Sequence, residues 1–423
     1  MRDERGVHGT SSSLSRCPLR EFLHSDRRCA EPIYLHPRSP FRAEHIGSLK
    51  RPLHLIAARN ACDRGELPAS ALAAVEDAEI ERIVALQRRL GFRAITDGEF
   101  RRYGFYDGFF DRLEGMVNVQ NADPEIFMDY VPDVKAFKVK DFKGGQTYIC
   151  TGKIRRTQPL YVPSFEALAK TVPPEEVKNL KITTAAPEWY HLRHSSKYAY
   201  SKDVYQSDAE YFADIAKVYQ EEIEALYAAG CRNMQIDDPL LAFFCSESML
   251  HGLREAGTDP DELFNSYIKL INDCVAKRKP DMALGIHLCR GNFRGGMHFS
   301  EGGYDAIAVK LFNDLNVDFY YLEFDTPRAG GFEPLRALPK NKQVILGFVS
   351  SKVPTLEDKQ TVIARIHEAA THMDDPKLER IAISPQCGFA SHIDGNAVTE
   401  EDMENKLKLV SEIATEVFGT TVW

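Results

Sequence analysis

His287 and Cys289 close the apolar run Ala283-Leu-Gly-Ile-His-Leu-Cys289. Residues two apart on a strand point to the same side, so one imidazole and one thiol project together from the strand's end. That pair is half of a tetrahedral zinc site. Two later strand ends offer the other half: Glu323 in Tyr320-Tyr-Leu-Glu-Phe-Asp325 and Cys387 in Ile383-Ser-Pro-Gln-Cys-Gly388. A Zn2+ held by these four suits a soft substrate ligand such as a thiol, because coordination deprotonates a thiol at neutral pH.

A plainer reading stands beside this one. His-x-Cys by itself describes a buried strand histidine beside a small core cysteine, and Cys387 before Gly388 reads equally as core packing. Glu323 weighs for the metal, since a lone buried carboxylate is costly without a cation. His298, in the loop after Gly295-Gly-Met297, reads as a loop or substrate contact, and His392 as surface.

Positioning such a set requires strands that end on one face, and the chain supplies them. From about Glu44 onward one theme recurs: an amphipathic helix, a stop signal, then a short apolar strand ending in polar residues. Ala69 to Leu90 carries Ile80, Ile83 and Leu86 at helical spacing, Gly91 ends it, and Phe92-Arg-Ala-Ile-Thr96 runs into Asp97-Gly-Glu99. Ser207-Asp-Ala-Glu210 opens another helix as a capping box, and its strand runs into Asp237-Asp-Pro239. Asp259 caps a third helix ahead of the His287 strand. With Glu44 to Ser48, Leu180 to Thr184, Val317 to Glu323, Gln343 to Val349 and Arg380 to Ser384, the strand candidates number eight. Alternating strands and helices predict a (β/α)8 TIM barrel of class α/β over residues 43–423. Residues 104–172, after the second strand, break the alternation and predict an insertion with a hairpin around Lys138 to Lys153.

Ser48, Glu99, Asp237, His287, Cys289, Glu323 and Cys387 all follow apolar runs, at the catalytic end of such a barrel. Glu99 and Asp237 can grip an amine, while Ser48 and the backbone of Ile46-Gly47 can receive a carboxylate; Gly47 lets the backbone approach closely. Each acid taken singly is equally a helix cap or a partner for Arg101 or Arg102.

Residues 1–42 are rich in Arg and Ser and lack apolar periodicity, which predicts a disordered leader. A secretory signal lacks its apolar core here, and the acids Asp3, Glu4, Glu21, Asp26 and Glu31 speak against a mitochondrial transit peptide. A net charge of -9 leaves no footprint for nucleic acid. No apolar run reaches the ~20 residues of a membrane helix. Nine singly scattered cysteines point to a reducing, cytoplasmic setting rather than a disulfide framework.

The phrases around these residues resemble the catalytic half of cobalamin-independent methionine synthase, and more closely its short single-barrel forms. They are His45-Ile-Gly-Ser-Leu-Lys-Arg-Pro52, Thr96-Asp-Gly-Glu99, Gln235-Ile-Asp-Asp-Pro239, His287-Leu-Cys-Arg-Gly-Asn-Phe293, Tyr321-Leu-Glu-Phe-Asp325 and Ser384-Pro-Gln-Cys-Gly-Phe389. The resemblance spans roughly residues 43 to 420. It implies zinc on His287, Cys289, Glu323 and Cys387, activating homocysteine for attack on a methyl group. It also implies that Ser48 holds the amino acid's carboxylate and that Glu99 and Asp237 hold its amine. The chain departs from the family in two ways: it has no room for the long form's second barrel, and Gly347-Phe-Val-Ser-Ser-Lys352 stands where the long form has a proton-donating histidine. Lys352 is the candidate replacement, and Trp189 the candidate stacking ring for a folate. The expected activity is zinc-dependent methylation of homocysteine, with a folate, a corrinoid or another small molecule as donor. Alternatives are an alkyl transfer or lyase reaction on another thiol, and a silent barrel that senses methionine or homocysteine, which would have lost a ligand. A uroporphyrinogen-decarboxylase-like barrel shares the architecture but has no use for the His-x-Cys, Glu, Cys set.

Overall fold

The computed structural model describes residues 41–139 and 145–422. The expected leader lies outside them up to residue 40. Phe41 and Arg42, placed with the leader from sequence, already belong to the barrel: Phe41 bridges Val422, and the Arg42 carbonyl accepts from the Ile383 amide at 3.0 Å.

Two strands belong to the insertion: β1 (Glu114–Val119) and β2 (Thr147–Arg155), paired antiparallel. Six more run parallel in sequence order: β3 (Lys181–Ala185), β4 (Asn233–Asp237), β5 (Ala283–Leu288), β6 (Phe319–Glu323), β7 (Gln343–Val349) and β8 (Ile381–Pro385). Helices between them cover the outside. Their starts follow the caps read from sequence: Ser207 accepts from the Glu210 amide, Asp259 from Asp261 and Glu262, and Thr399 with Asp402 forms a full capping box. Among the described residues no helix is long and apolar enough to cross a membrane.

The first two expected strands complete the ring without becoming regular ladders. Ala43 bridges β8 at Ile383, Ile95 bridges Leu180 just before β3, and the Leu49 amide donates to the Gly98 carbonyl at 3.1 Å. The reason is a side chain. Buried Gln87, on the helix Ala69–Arg89, takes both backbone groups of Thr96 that a ladder would use: its Oε1 accepts from the Thr96 amide and its Nε2 donates to the Thr96 carbonyl, each at 2.9 Å. The same Oε1 lies 2.9 Å from His45 Nε2, so one glutamine ties both irregular staves to the shell. Gln87→Leu should therefore cost ~3 kcal/mol or more, because two buried backbone groups and an imidazole lose their partner; urea unfolding measures it, and a loss below 1 kcal/mol would contradict this role.

The expected hairpin around Lys138 to Lys153 is corrected. Its return arm is β2, but the partner is β1, and residues Pro132–Val139 form a helix that buries Val134. Pro132 opens that helix at a position where its missing amide is not needed.

Strand side chains alternate between two cores. Phe319 and Tyr321 of β6 pack inward with Ile46, Ala283, Ile345 and Ala382, whereas Tyr320 and Leu322 join the larger layer under the helices. The inner layer is partly polar. Lys181 Nζ, fully enclosed, donates to Glu44 Oε2 at 2.9 Å, Gln235 Oε1 at 3.0 Å and Tyr321 Oη at 3.2 Å. Gln235 Nε2 then donates to the Ile46 carbonyl and to Asp237 Oδ1. This polar floor fixes the rim residues above it.

Candidate active site

β5 ends at Leu288 with His287 beside Asp237 of β4 in register, and Cys289 one residue beyond. Cys387 lies two residues past the end of β8. The two sulfurs come within 3.3 Å, and one donor atom each from His287, Cys289 and Cys387 lies within 4.8 Å of the others. Free thiols this close suit a shared ion: sulfurs bound at ~2.3 Å in a tetrahedron stand ~3.8 Å apart. The imidazole supplies the sharper test. His287 is buried, yet neither ring nitrogen has a hydrogen-bond partner, which native interiors rarely tolerate without an ion or water to fill the gap. The residues fit a zinc ion.

Electrostatics agree. The hydrogen bond to Cys387, together with burial, pushes the Cys289 thiol well above its ordinary range. Burial alone would lower His287, but Cys289, Asp237 and Glu323 outweigh it and the imidazole's pKa rises. A Cys289 thiol that holds its proton, beside an imidazole whose pKa is raised, makes a site that releases protons when a cation enters.

Glu323 stands next to the three rather than among them. Its Oε1 is 4.0 Å from Cys289 Sγ and accepts from Gln386 Nε2 at 3.3 Å, while its Oε2 has no hydrogen bond. Three cations surround it: Arg328 at 3.8 Å, Lys352 at 3.9 Å and Arg290 at 4.0 Å. Lys352, the expected proton donor, gives its ammonium to the Gly291 carbonyl at 2.7 Å and is not among the residues lining the cavity above the thiols.

That cavity encloses about 760 Å³. Ile46, Ser48, Glu99, Asp237, His287, Cys289 and Cys387 all line it, so one chamber gathers the expected amino-acid cradle and the thiols. Glu99 adopts φ +60°, a left-handed conformation uncommon for a side chain of its size, which aims it inward. Its Oε1 accepts from Thr183 Oγ1 at 2.6 Å, and Arg102 lies 3.7 Å away, so the arginine partner also considered from sequence is present; Oε2 is buried without a partner. Burial raises the Glu99 pKa to about 7, with the nearby Asp237 charge adding to it against Arg102. Burial raises Asp237 as well. Two enclosed carboxyls whose pKa values are raised, one of them with an unpartnered oxygen, are a socket for an ammonium. Asp238 points away and caps the next helix through the amides of Leu240 and Leu241.

Two glycines hold the cradle's shape. Gly47 has φ +135°, and a Cβ there would lie 2.6 Å from Thr183 and 3.0 Å from Glu99 Oε1. A Cβ on Gly388 would meet Ser48 Oγ at 1.9 Å, while the Gly388 carbonyl is pinned by Asn292 Nδ2 at 2.8 Å and Ser351 Oγ at 2.9 Å. Gly388→Ala should therefore rotate the Ser48 hydroxyl out of the cavity and cost ~1–3 kcal/mol of stability; a crystal structure of the variant and its unfolding curve check both.

The rest of the wall was not legible. Phe105, Tyr106, Asp133, Phe137, Arg193, Phe293, Phe299 and His392 line the same cavity. His392, read as surface, sits edge-on to Phe293 with centroids 4.9 Å apart. His298 is a loop residue paired with Glu301. Trp189, expected as a stacking ring, is itself stacked on Tyr106 at 4.6 Å, and the Arg193 guanidinium lies 3.7 Å over the ring.

Residues 192–415 match the family model "Cobalamin-independent synthase, Catalytic domain". The uncharacterized protein YxjG of Bacillus subtilis (strain 168) is 38% identical over 386 residues, covering 90% of this chain and 96% of the relative. The "Methionine synthase" of Saccharolobus solfataricus is 25% identical over 336 residues, covering 75% and 82%. A crystal structure from Listeria monocytogenes, provisionally assigned as a vitamin-B12-independent methionine synthase, superposes with a TM-score of 0.68 at 29% identity, covering 90% of this chain and 99% of that one. The barrel, the gathered histidine and cysteines, and these matches together make this chain a member of the cobalamin-independent methionine synthase family, a methyltransferase built on that family's catalytic domain.

Proposed function

We propose that this protein methylates the thiol of homocysteine to give methionine, with zinc held by His287, Cys289, Cys387 and Glu323. The observation that carries the reading is the convergence of two thiols and an unpartnered buried imidazole on a cavity that also presents the carboxyls of Glu99 and Asp237. When bound, zinc acts as a Lewis acid that favours the thiolate form of a substrate sulfur near neutral pH.

The chain's own residues do the rest. Glu99 and Asp237 accept hydrogen bonds from the substrate ammonium, and the Ser48 hydroxyl donates to its carboxylate, with Ile46 and Gly47 setting the backbone edge. Fixing both ends of the amino acid aims its sulfur at the two cysteines and turns a bimolecular encounter into a local one. Arg290, Arg328 and Lys352 surround the Glu323 carboxyl at 3.8–4.0 Å and fix its place beside Cys289, so we assign Lys352 to positioning Glu323 rather than to donating a proton. The polar floor of Lys181, Gln235 and Glu44 holds the carboxylates in place.

The test is direct. Zinc-loaded protein with homocysteine and a panel of deuteriomethyl donors should yield deuterated methionine, read by mass spectrometry. No methionine from any donor, with one zinc bound per chain, would move the assignment to another thiol.

A further inference from the structure

An amino acid the size of homocysteine fills only part of a cavity of about 760 Å³, a size that suits ligands several times larger. The remaining space has a definite chemistry. From Cys289 the chain runs through Gly291 and Asn292 to Phe293, and from Cys387 through Ser391 to His392; all of these line the cavity. Phe293 and His392 meet edge to face at 4.9 Å. On one side Phe137 lies 5.0 Å from Phe293, and Phe299 lies 5.4 Å from Phe137. On the other side Tyr106 lies 6.0 Å from His392 and stacks on Trp189. A continuous wall of rings thus begins within five residues of each thiol.

Rings of this kind stabilise a methyl-bearing cation through their quadrupoles, and more strongly where water is excluded. The charges along the wall point the same way. Among the described lining residues the carboxylates are Glu99, Asp133 and Asp237, and the cations are Lys138 and Arg193. Arg193 is committed to Asp133 and Lys138 to Asp129. A substrate ammonium satisfies Glu99 and Asp237, so these residues offer no spare positive charge to an anionic donor.

Resting on the reading proposed above, we infer that the second substrate is an onium methyl donor, a sulfonium or a quaternary ammonium, bound against this ring wall. The step balances without an acid. The thiolate sulfur forms a bond to the methyl carbon, the carbon–sulfonium or carbon–ammonium bond breaks, and its electron pair stays on the donor. The donor departs as a neutral thioether or tertiary amine. The thiol's own proton has already gone to solvent. An amine-type donor would instead need a proton delivered to its leaving nitrogen, and Lys352, the sequence's candidate for that task, is bonded to Gly291 outside the lining.

The experiment uses the zinc-loaded full chain with homocysteine and, in separate arms, methyl-deuterated dimethylsulfonioacetate, its nitrogen counterpart glycine betaine, and methyltetrahydrofolate carrying one or three glutamates. Deuterated methionine should form at least 100-fold faster from one of the onium arms than from either folate, and the faster arm names the heteroatom. Label from the folates alone overturns this inference and leaves homocysteine methylation standing, whereas no label from any arm overturns both. Binding supplies a second readout. Trimethylsulfonium, titrated calorimetrically, should bind the wild-type protein and bind about 10-fold more weakly to Phe293→Leu and Asp133→Asn, each checked for fold by circular dichroism. No binding to the wild type, or undiminished binding to both folded variants, overturns the inference.

Discussion

Cys289→Ser and Cys387→Ser should each purify folded but retain less than about a tenth of the wild-type zinc, with methionine formation lost to background. One thiolate's share of the ~10–16 kcal/mol typical of a protein zinc site corresponds to roughly a 100- to 1,000-fold loss of affinity. Stability should barely change in the metal-free proteins, because serine is close to isosteric and its hydroxyl can keep the contacts of each sulfur, those of Cys289 being the Gly291 amide at 3.2 Å and Cys387 at 3.3 Å. Competition with a chromophoric chelator measures the affinity, and calorimetric melting of the metal-free forms measures the stability. Zinc retained at full stoichiometry by either variant would remove that cysteine from the site. The pairing also predicts proton release: in the metal-free protein the Cys289 thiol is held protonated by its hydrogen bond to Cys387 and by burial, so zinc uptake in weak buffer should acidify the solution.

The second large effect concerns the amine cradle. Asp237→Asn and Glu99→Gln should raise the KM for homocysteine by roughly 30-fold or more, the ~2–5 kcal/mol scale of removing one partner from a buried charge pair. The turnover number should fall less, since neither carboxylate touches the sulfur. The pH dependence carries a sign. Burial and the neighbouring Asp237 hold Glu99 neutral below about pH 7, and a neutral carboxyl cannot balance an ammonium. Therefore kcat/KM for homocysteine should fall as pH drops through about 7 and level off above it. Thiol ionisation bends the profile in the same direction, but only the Glu99 inflection should vanish in Glu99→Gln. An unchanged profile in that variant would assign the inflection to the thiol alone.

How much of this is legible in the sequence depends on where each signal is encoded. The two-residue spacing of His287 and Cys289 is local: a strand repeats every two residues, so the pair's common face follows from sequence. Cys387, Glu99 and Asp237 required only the rule that parallel strands end on one rim. Glu323 was located but not its surroundings, because Arg290, Arg328 and Lys352 reach it from three separate segments. For the same reason the family resemblance could single out Lys352 while its bond to Gly291 could not be read. The first two staves were recognised as apolar runs, yet their missing ladders depend on one glutamine in a neighbouring helix. Inside the insertion, alternation identified β2 but not its distant partner β1. His392 looked like surface because it lies five positions past Cys387 with no periodic signal, whereas in space Gly388-Phe-Ala-Ser391 brings the imidazole against Phe293.

X-ray absorption at the zinc edge tests the central claim most directly. The account predicts one zinc per chain whose nearest shell contains two sulfurs at ~2.3 Å with nitrogen or oxygen completing the set, rising to three sulfurs when homocysteine is added. A shell without sulfur, or one that keeps two sulfurs in saturating homocysteine, would contradict it.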